Sequence, residues 1–372
     1  MLFYSHQMRA VVQIMRKTYL DNIRWITVCL VVVYHVLFIF STLTPLGLGT
    51  ITETTYQDAV LYLLYPWFML LLFVVSGMCA RFYLQNHSDR TFRKARTTKL
   101  LVPSTLGLLV FGWVLGYVNM RIGGGFDSLK SVPALIRYLI MCLSGSGVLW
   151  YVQTLWLFSM VLIPVRRLEK DRLWNLGGKM NLPGLLLLTI AVWGASRILN
   201  TPIIVVYRFG IYGLGFFLGY FIFSHDAVMD RLEKAWMPLT VAAAVLGAAF
   251  TIRFWGQDYA SHAVLDTFLC NVFAWITVLA VLAFMKKWGN FENAFSKWMT
   301  RKSWGLYLFH YLPLAICAGL VYQSAMPAVC KYLLTALAAF LGGFLLYEIL
   351  SRIPFVRWSV CGIRKSREPE KE

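Results

Sequence analysis

Apolar runs of about 18 residues or more recur along this chain, and each is long enough to cross the roughly 30 Å hydrocarbon core of a bilayer as a helix. The composition agrees, because 59% of the residues are hydrophobic and only 14% are charged. Soluble domains average roughly 45–50% apolar and about 25% charged residues. The sequence therefore predicts an all-α integral membrane protein.

The apolar runs predict a bundle of about ten transmembrane helices. They fall at 23–43, 58–80, 100–120, 147–165, 184–199, 203–224, 237–253, 264–285, 303–323 and 329–350. The run at 184–199 is short, and a tight corner at Pro202 follows it. We assign residues 1–18 to a cytoplasmic N-terminal lead, 19–350 to the transmembrane domain and 351–372 to a basic cytoplasmic tail.

Lysine and arginine are concentrated in alternate connections between the apolar runs. The connections 81–99 and 286–302 are rich in them, whereas 44–57 and 254–263 contain none. Cytoplasmic connections of membrane proteins carry the excess of positive charge. The pattern therefore places both termini in the cytoplasm, as an even number of spans requires, and predicts a multi-pass protein of the cell (inner or plasma) membrane.

The net charge of +18 raises the question of nucleic-acid binding. Because the basic residues follow the membrane topology, we predict membrane lipids, and no nucleic acid, as partners. The seven cysteines are scattered, mostly within apolar runs, without a CxxC pair or a Cys–His cluster. This spacing predicts neither a metal site nor a disulfide framework.

Arg24 and His35 make the first apolar run a candidate for function. On a helix they differ by only ~20° around the axis and lie roughly 16 Å apart along it. One face then carries a cation near a membrane boundary and an imidazole about halfway across. An ionisable side chain at that depth is costly and indicates function, although a core histidine satisfied by a neighbouring hydroxyl is the simpler alternative. Asp21 is spaced to cap the helix or to pair with Arg24.

Ser76, Arg96 and Lys99 lie near the cytoplasmic ends of the second and third runs. Ser76 and Gly77 are small, and small residues let transmembrane helices approach closely, so packing is their simplest role. Arg96 and Lys99 are three residues apart, at the cytoplasmic mouth of the third run. They suit either acidic lipid headgroups or the phosphates of a cytosolic cofactor.

Two later runs carry polar residues that point to a cavity. Trp150 opens the fourth run, where boundary aromatics are usually membrane anchors, and Gln153 lies a turn deeper on a face that suits a wet cavity. In the ninth run, Tyr307 and His310 share one face, and His310 lies roughly 12 Å from the cytoplasmic boundary. The similar depths of His35 and His310 predict one buried polar chamber.

In their order along the chain, these motifs resemble those of the acyltransferase-3 family of integral membrane O-acyltransferases. The similarity covers roughly residues 19–350 and is carried by Arg24-x10-His35, Phe73-x-x-Ser76-Gly77, Arg96-x-x-Lys99 with Pro103, Gly147-x-Leu149-Trp150-Tyr151 and Tyr307-Leu308-x-His310. The ending at 346–354 is similar to the glucan biosynthesis protein C branch, which succinylates periplasmic glucans. Two positions depart from the family pattern: Lys99 stands where many members have a second Arg, and Val148 where many have His.

The resemblance implies transfer of an acyl group, acetyl or succinyl, from cytosolic acyl-coenzyme A to a hydroxyl of a carbohydrate or other cell-envelope acceptor, without a metal. His35 would act as a general base on that hydroxyl or relay the acyl group covalently. The resemblance implies that the catalytic residues are His35, Arg24, His310 and Tyr307. It implies that the donor is bound by Arg24, Arg96, Lys99 and Ser76. The acceptor would be bound by Trp150 and Gln153.

Two other functions fit about ten spans with an ionisable group inside the membrane. A proton-coupled secondary transporter would show inverted repeats and paired broken helices, and the sequence has no visible repeat. A glycan exporter would keep a polar groove but would not need His35.

Overall fold

The computed structural model describes most of the chain, namely residues 17–43, 47–52, 55–201 and 206–363. The predicted lead up to residue 16, the corner at Pro202 and the end of the tail from residue 364 lie outside the described residues. Regular structure in the described part is helical, with one isolated β-bridge between Asn200 and Arg208. The prediction of an all-α fold is confirmed.

We label the helices in chain order as α1 (Thr18–Phe38), α2 (Asp58–Asn86), α3 (Asp89–Ile122), α4 (Ala134–Ser144), α5 (Gly147–Glu169), α6 (Arg172–Gly177), α7 (Leu182–Ala195), α8 (Phe209–Phe223), α9 (Asp226–Lys234), α10 (Trp236–Phe254), α11 (His262–Leu265), α12 (Phe268–Trp288), α13 (Ala294–Phe309), α14 (Tyr311–Tyr322), α15 (Ala328–Leu350) and α16 (Pro354–Ser359). Two π-helical segments interrupt α3, at Thr97–Leu101 and Leu108–Gly112. Others lie at the end of α8 and within α15.

Among the described residues, seven helices are individually long and apolar enough to cross a membrane. Up to nine spans result if the bent pairs α8–α9 and α13–α14 each count as one. The predicted count of about ten is not confirmed, because α7 has 14 residues and a span needs roughly 20. The orientation of the termini, which relied on an even number of spans, stays a prediction.

Helices α2 and α12 form the centre of the bundle. Their most apolar stretches are each 72% buried, against 22% for α15. Helix α2 also packs closely on α8, because each helix presents a glycine to the other's backbone. A Cβ atom on Gly77 would lie 1.9 Å from the carbonyl oxygen of Phe216, and one on Gly219 would lie 2.0 Å from that of Val74. The packing role predicted for Gly77 is confirmed.

The start of α1 is fixed to the connection that follows α12. The buried amide of Asn22 donates hydrogen bonds to the carbonyl oxygens of Gly289, at 2.7 Å, and Phe291, at 2.8 Å. Two residues after Asn22, the guanidinium of Arg24 lies 3.8 Å from the carboxylate of Asp21, which confirms the predicted i,i+3 pair. These contacts set the position of the Arg24 face relative to the rest of the bundle.

The ninth predicted span is bent rather than straight. Helices α13 and α14 meet at His310 with a bend of 54°. Pro313 explains it, because proline lacks an N–H and its ring clashes with the carbonyl four residues earlier, which here belongs to Phe309. His310 is therefore located at a break in the helix.

Candidate active site

Five helices enclose a cavity of about 360 Å³. Its lining residues come from α1, α2, α3, α5 and α13 and are Asp21, Arg24, Val28, Leu72, Ser76, Cys79, Tyr83, Phe92, Ala95, Arg96, Lys99, Leu100, Tyr151, Leu155, Thr300, Ser303, Trp304 and Tyr307. The set includes every residue that the sequence analysis associated with donor binding.

Three cations face this cavity against one carboxylate, that of Asp21. The guanidinium of Arg96 lies 5.0 Å from the ring centre of Phe92, and the ammonium of Lys99 lies 4.6 Å from that of Trp304. Both are cation–π contacts, which orient the cations without neutralising them. With Arg24, whose side chain is 55% exposed, they make the cavity strongly positive and suited to phosphate groups.

Helix α3 changes its backbone pattern where it presents Lys99. The segment Thr97–Leu101 is π-helical, a form that often marks functional positions. The chain that follows α16 packs onto it: Gly362 has a φ of +65°, and a Cβ atom there would lie 2.8 Å from the Thr98 carbonyl oxygen and 3.0 Å from that of Lys99. The C-terminal segment thus supports the wall that carries Lys99.

Further along the cavity the lining is made of hydroxyl groups. The side-chain oxygens of Ser76 and Tyr151 lie 2.9 Å apart and share a hydrogen bond. The hydroxyl of Tyr307 donates to the carbonyl oxygen of Val148, and the rings of Tyr151 and Tyr307 are 5.7 Å apart. Ser76 is therefore a polar contact of the cavity as well as a small residue at a helix interface.

His35 and His310 meet, as their predicted depths indicated. His310 Nε2 lies 3.3 Å from His35 Nδ1, and the ring centres are 5.1 Å apart. His310 is fully buried, whereas His35 is half-buried. Rings of Tyr34 and Tyr311 flank His35, each with its centre at 5.1 Å.

Neither histidine is among the residues that line the cavity described above. Tyr307 borders both parts, since it lines the cavity and its ring centre lies 6.3 Å from that of His310. Instead of the single chamber predicted from the sequence, the structure has a cavity and, beside it, a histidine pair that does not line it.

Trp150 and Gln153 lie apart from the cavity lining. The ring of Trp150 packs at 5.5 Å from that of Tyr212 and 6.3 Å from that of Tyr207. The Gln153 amide nitrogen donates to the Ser104 carbonyl oxygen at 3.0 Å, and its oxygen accepts from the Tyr207 hydroxyl. Gln153 therefore connects α5 to α3 and to the segment before α8. The sequence suggested that its side chain would face a wet cavity, but both ends of its amide have protein partners.

Cys79, Tyr151 and Trp304 are among the lining residues that were not candidates from the sequence. Cys79 lies three residues after Ser76, and Trp304 lies three residues before Tyr307, so helical spacing could have identified both. Tyr151 stood inside a recognised motif, but its hydrogen bond to Ser76 joins α2 to α5 across 75 positions and leaves no local signal. In the described residues, no group of three or more His, Cys, Asp or Glu side chains could hold a metal ion.

Comparison with known proteins gives one family. The acyltransferase-3 family model, described as an acyltransferase domain, matches residues 17–348. No curated protein and no solved structure matches the chain significantly. The match includes all five helices that line the cavity and both histidines.

Proposed function

Because the chain belongs to the acyltransferase-3 family of membrane acyltransferases, we propose that it transfers an acetyl or succinyl group from cytosolic acyl-coenzyme A to a hydroxyl of a carbohydrate or other cell-envelope acceptor. The observation that carries this proposal is the convergence of Arg24, Arg96 and Lys99 on one cavity. The wall of the same cavity includes Tyr307, next to the histidine pair. We place the enzyme in the cell (inner or plasma) membrane.

The cavity suits part of a coenzyme A molecule. Its volume of about 360 Å³ is at the lower end of the roughly 300–1,000 Å³ of small-molecule sites, which fits the narrow pantetheine arm rather than the whole donor. Arg96 offers a planar fork of donors to a phosphate, and Lys99 offers a point charge. The nucleotide end would then lie towards the exposed side chain of Arg24, with the thioester beside Ser76 and Tyr307.

His35 is the residue that can remove a proton from the acceptor. An imidazole is the side chain best suited to general base catalysis near neutral pH. In the proposed step, His35 takes the hydroxyl proton, the acceptor oxygen bonds to the acyl carbon, and the carbon–sulfur bond breaks. The proton then passes to the released thiolate, so the imidazole is regenerated. A covalent relay, in which His35 itself carries the acyl group, is the alternative route over the same atoms.

The acceptor would approach from the other side of the histidine pair. Trp150 belongs to a group of rings that includes Tyr207 and Tyr212, and the rings of Tyr34 and Tyr311 border His35. Aromatic rings with polar edges suit a carbohydrate, which presents apolar C–H faces and hydroxyl groups. Gln153 acts here by holding Tyr207 rather than by contacting the acceptor directly.

Two measurements test the proposal. Purified protein in lipid nanodiscs is incubated with radiolabelled acetyl- or succinyl-coenzyme A and envelope glycan, and label in the glycan is counted. Mass spectrometry of envelope glycans from matched cells with and without the gene identifies the acyl group and the acceptor. A transporter or exporter would leave glycan masses unchanged, and its thermal stability would respond to a solute and an ion gradient rather than to coenzyme A.

A further inference from the structure

The contacts of His310 determine which of its ring nitrogens carries a proton. Nδ1 lies 3.0 Å from the carbonyl oxygen of Leu306 and 2.9 Å from that of Tyr307. A carbonyl oxygen only accepts hydrogen bonds, so Nδ1 must be the donor. In the neutral ring, Nε2 then has no proton and is a hydrogen-bond acceptor.

The contacts of His35 determine its protonated nitrogen in the same way. Its Nδ1 lies 2.8 Å from the carbonyl oxygen of Val31 and 3.3 Å from His310 Nε2. Both neighbours are acceptors, so His35 Nδ1 carries the proton and shares it between them. Neutral His35 therefore has its lone pair on Nε2.

The two rings differ in access. His310 is fully buried and both of its nitrogens have partners. His35 is half-buried, and its Nδ1 is enclosed between Val31 and His310. Among the nitrogens of the pair, only Nε2 of His35 has no protein partner in the hydrogen-bond geometry of the described residues, so it is the atom left for a substrate.

We propose that His310 is a positioning residue that holds His35 in the Nδ1–H tautomer, with Nε2 as the atom that takes the acceptor's proton. The inference rests on the proposed acyl transfer. It adds that the carbonyl oxygens of Leu306 and Tyr307 orient His310, and that His310 in turn orients His35. A base whose second nitrogen donates to a fixed acceptor is held in one tautomer and one orientation.

The contact also has a consequence for charge. When Nε2 of His35 takes the hydroxyl proton, the ring becomes an imidazolium, and its Nδ1–H still donates to Val31 and His310. Two acceptors on that N–H stabilise the cation inside the bundle, where an unpaired charge is expensive. The proton on Nδ1 does not move, and the one on Nε2 leaves with the released thiolate.

Matched substitutions of His310 separate positioning from mere packing. Gln is long enough to place its amide oxygen near the position of Nε2, where it accepts the same hydrogen bond, whereas Leu fills similar space without an acceptor. We expect His310→Gln to keep transfer within about tenfold and His310→Leu to lose about 10²–10⁴-fold, the contribution typical of an oriented base. Both variants should elute as folded protein and keep thermal stabilisation by coenzyme A, since His310 does not line the cavity.

A readout independent of activity is ¹⁵N magnetic resonance of histidine-labelled protein in lipid, with the His35 signals assigned by their loss in His35→Gln. The expected spectrum shows protonated Nδ1 and unprotonated Nε2 at His35, and a tautomer mixture in His310→Leu. Full activity of His310→Leu, or an Nε2–H tautomer in the unmodified protein, overturns the inference. If no transfer is detected in any form but the Nδ1–H tautomer is observed, the proposed function fails while the role of His310 in fixing the tautomer stands.

Discussion

His310 Nε2 lies 3.3 Å from His35 Nδ1, although the two residues are 275 positions apart in the sequence. Each reaches the contact for a different reason. His35 lies in the last turn of α1 rather than midway along it, whereas His310 stands at the bend between α13 and α14, next to the carbonyls of Leu306 and Tyr307. The contact between the last turn of α1 and the bend between α13 and α14 thus orients an imidazole within the bundle.

Replacing His35 by Ala should abolish transfer while leaving donor binding intact. The loss of a general base typically costs about 10²–10⁴-fold in rate, and His35 is not among the residues that line the cavity proposed to bind the donor. Transfer is measured with radiolabelled acyl-coenzyme A, and binding by thermal stabilisation with coenzyme A. His262→Ala, at the start of α11, is the control and should behave as the parent protein. Normal turnover by His35→Ala would remove His35 from the mechanism.

Removing the cavity cations should weaken donor binding. A hydrogen bond to a charged group contributes about 1.5–3 kcal/mol, and about 1.4 kcal/mol corresponds to tenfold. We therefore expect Arg96→Ala and Lys99→Ala each to raise the Kd for coenzyme A by about 10- to 100-fold, as measured by calorimetry in nanodiscs. Lys99→Arg should retain most of the affinity, because the charge is kept.

Arg121→Ala provides the matched control for these cations. Arg121 lies on the same helix, α3, but is exposed at its opposite end. Its removal should leave the Kd unchanged. If Arg96→Ala and Lys99→Ala also leave the Kd unchanged and instead reduce retention of anionic lipid, these residues bind headgroups and not the donor.

Cys79 can report on occupancy of the cavity. Its thiol belongs to a lining residue and is half-buried, whereas Cys330 is exposed elsewhere on the molecule. Desulfo-coenzyme A, which has no thiol to consume the reagent, should slow modification of Cys79 by N-ethylmaleimide at least several-fold. Modification of Cys330 should not change. Peptide mass spectrometry measures both sites in one sample, and equal rates at Cys79 with and without the ligand would place the donor elsewhere.

The residues proposed to bind the donor were accessible to sequence reasoning because the membrane simplifies the geometry. Arg24, Arg96 and Lys99 all fall at ends of apolar runs that the charge pattern assigns to one side, so residues distant in sequence were expected at one level. The same rule placed His35 and His310 at one depth. Because the rise per residue of a helix is known, the number of residues from a membrane boundary gives the expected depth of a side chain.

Contacts between helices were not accessible in this way. Pro313 is a local sequence signal for the bend at His310. The prediction of this span considered only the length of the apolar run and so missed the bend. The hydrogen bond between Gln153 and Tyr207 joins α5 to the segment before α8, and the one between Tyr151 and Ser76 joins α5 to α2. Periodicity does not specify such partners. The meeting of His35 and His310 was therefore predictable, whereas the division into a cavity and a histidine pair depended on packing.

Helix α2 should not tolerate a methyl group at its contact with α8. A Cβ atom on Gly77 would lie 1.9 Å from the Phe216 carbonyl oxygen, and backbone cannot move aside as a flexible side chain can. Gly77→Ala should lower the Tm measured in detergent by several degrees or prevent folding. Gly194→Ala, in α7, meets nothing within 4 Å and should be neutral or slightly stabilising, because alanine is favoured over glycine in helices. Equal Tm values for the two variants would contradict the close contact.

The C-terminal segment should influence donor binding through Gly362. Gly362 and Gly124 both have a φ of +65°, so alanine introduces similar backbone strain at each, about 1–2 kcal/mol. Only at Gly362 does a Cβ atom also approach other backbone, 2.8 Å from the Thr98 carbonyl oxygen and 3.0 Å from that of Lys99, while nothing lies within 4 Å at Gly124. Gly362→Ala should therefore both lower the Tm and raise the Kd for coenzyme A, because it displaces the π-helical segment that presents Lys99. Gly124→Ala should lower the Tm alone, and an unchanged Kd in Gly362→Ala would show that the segment does not support the cavity wall.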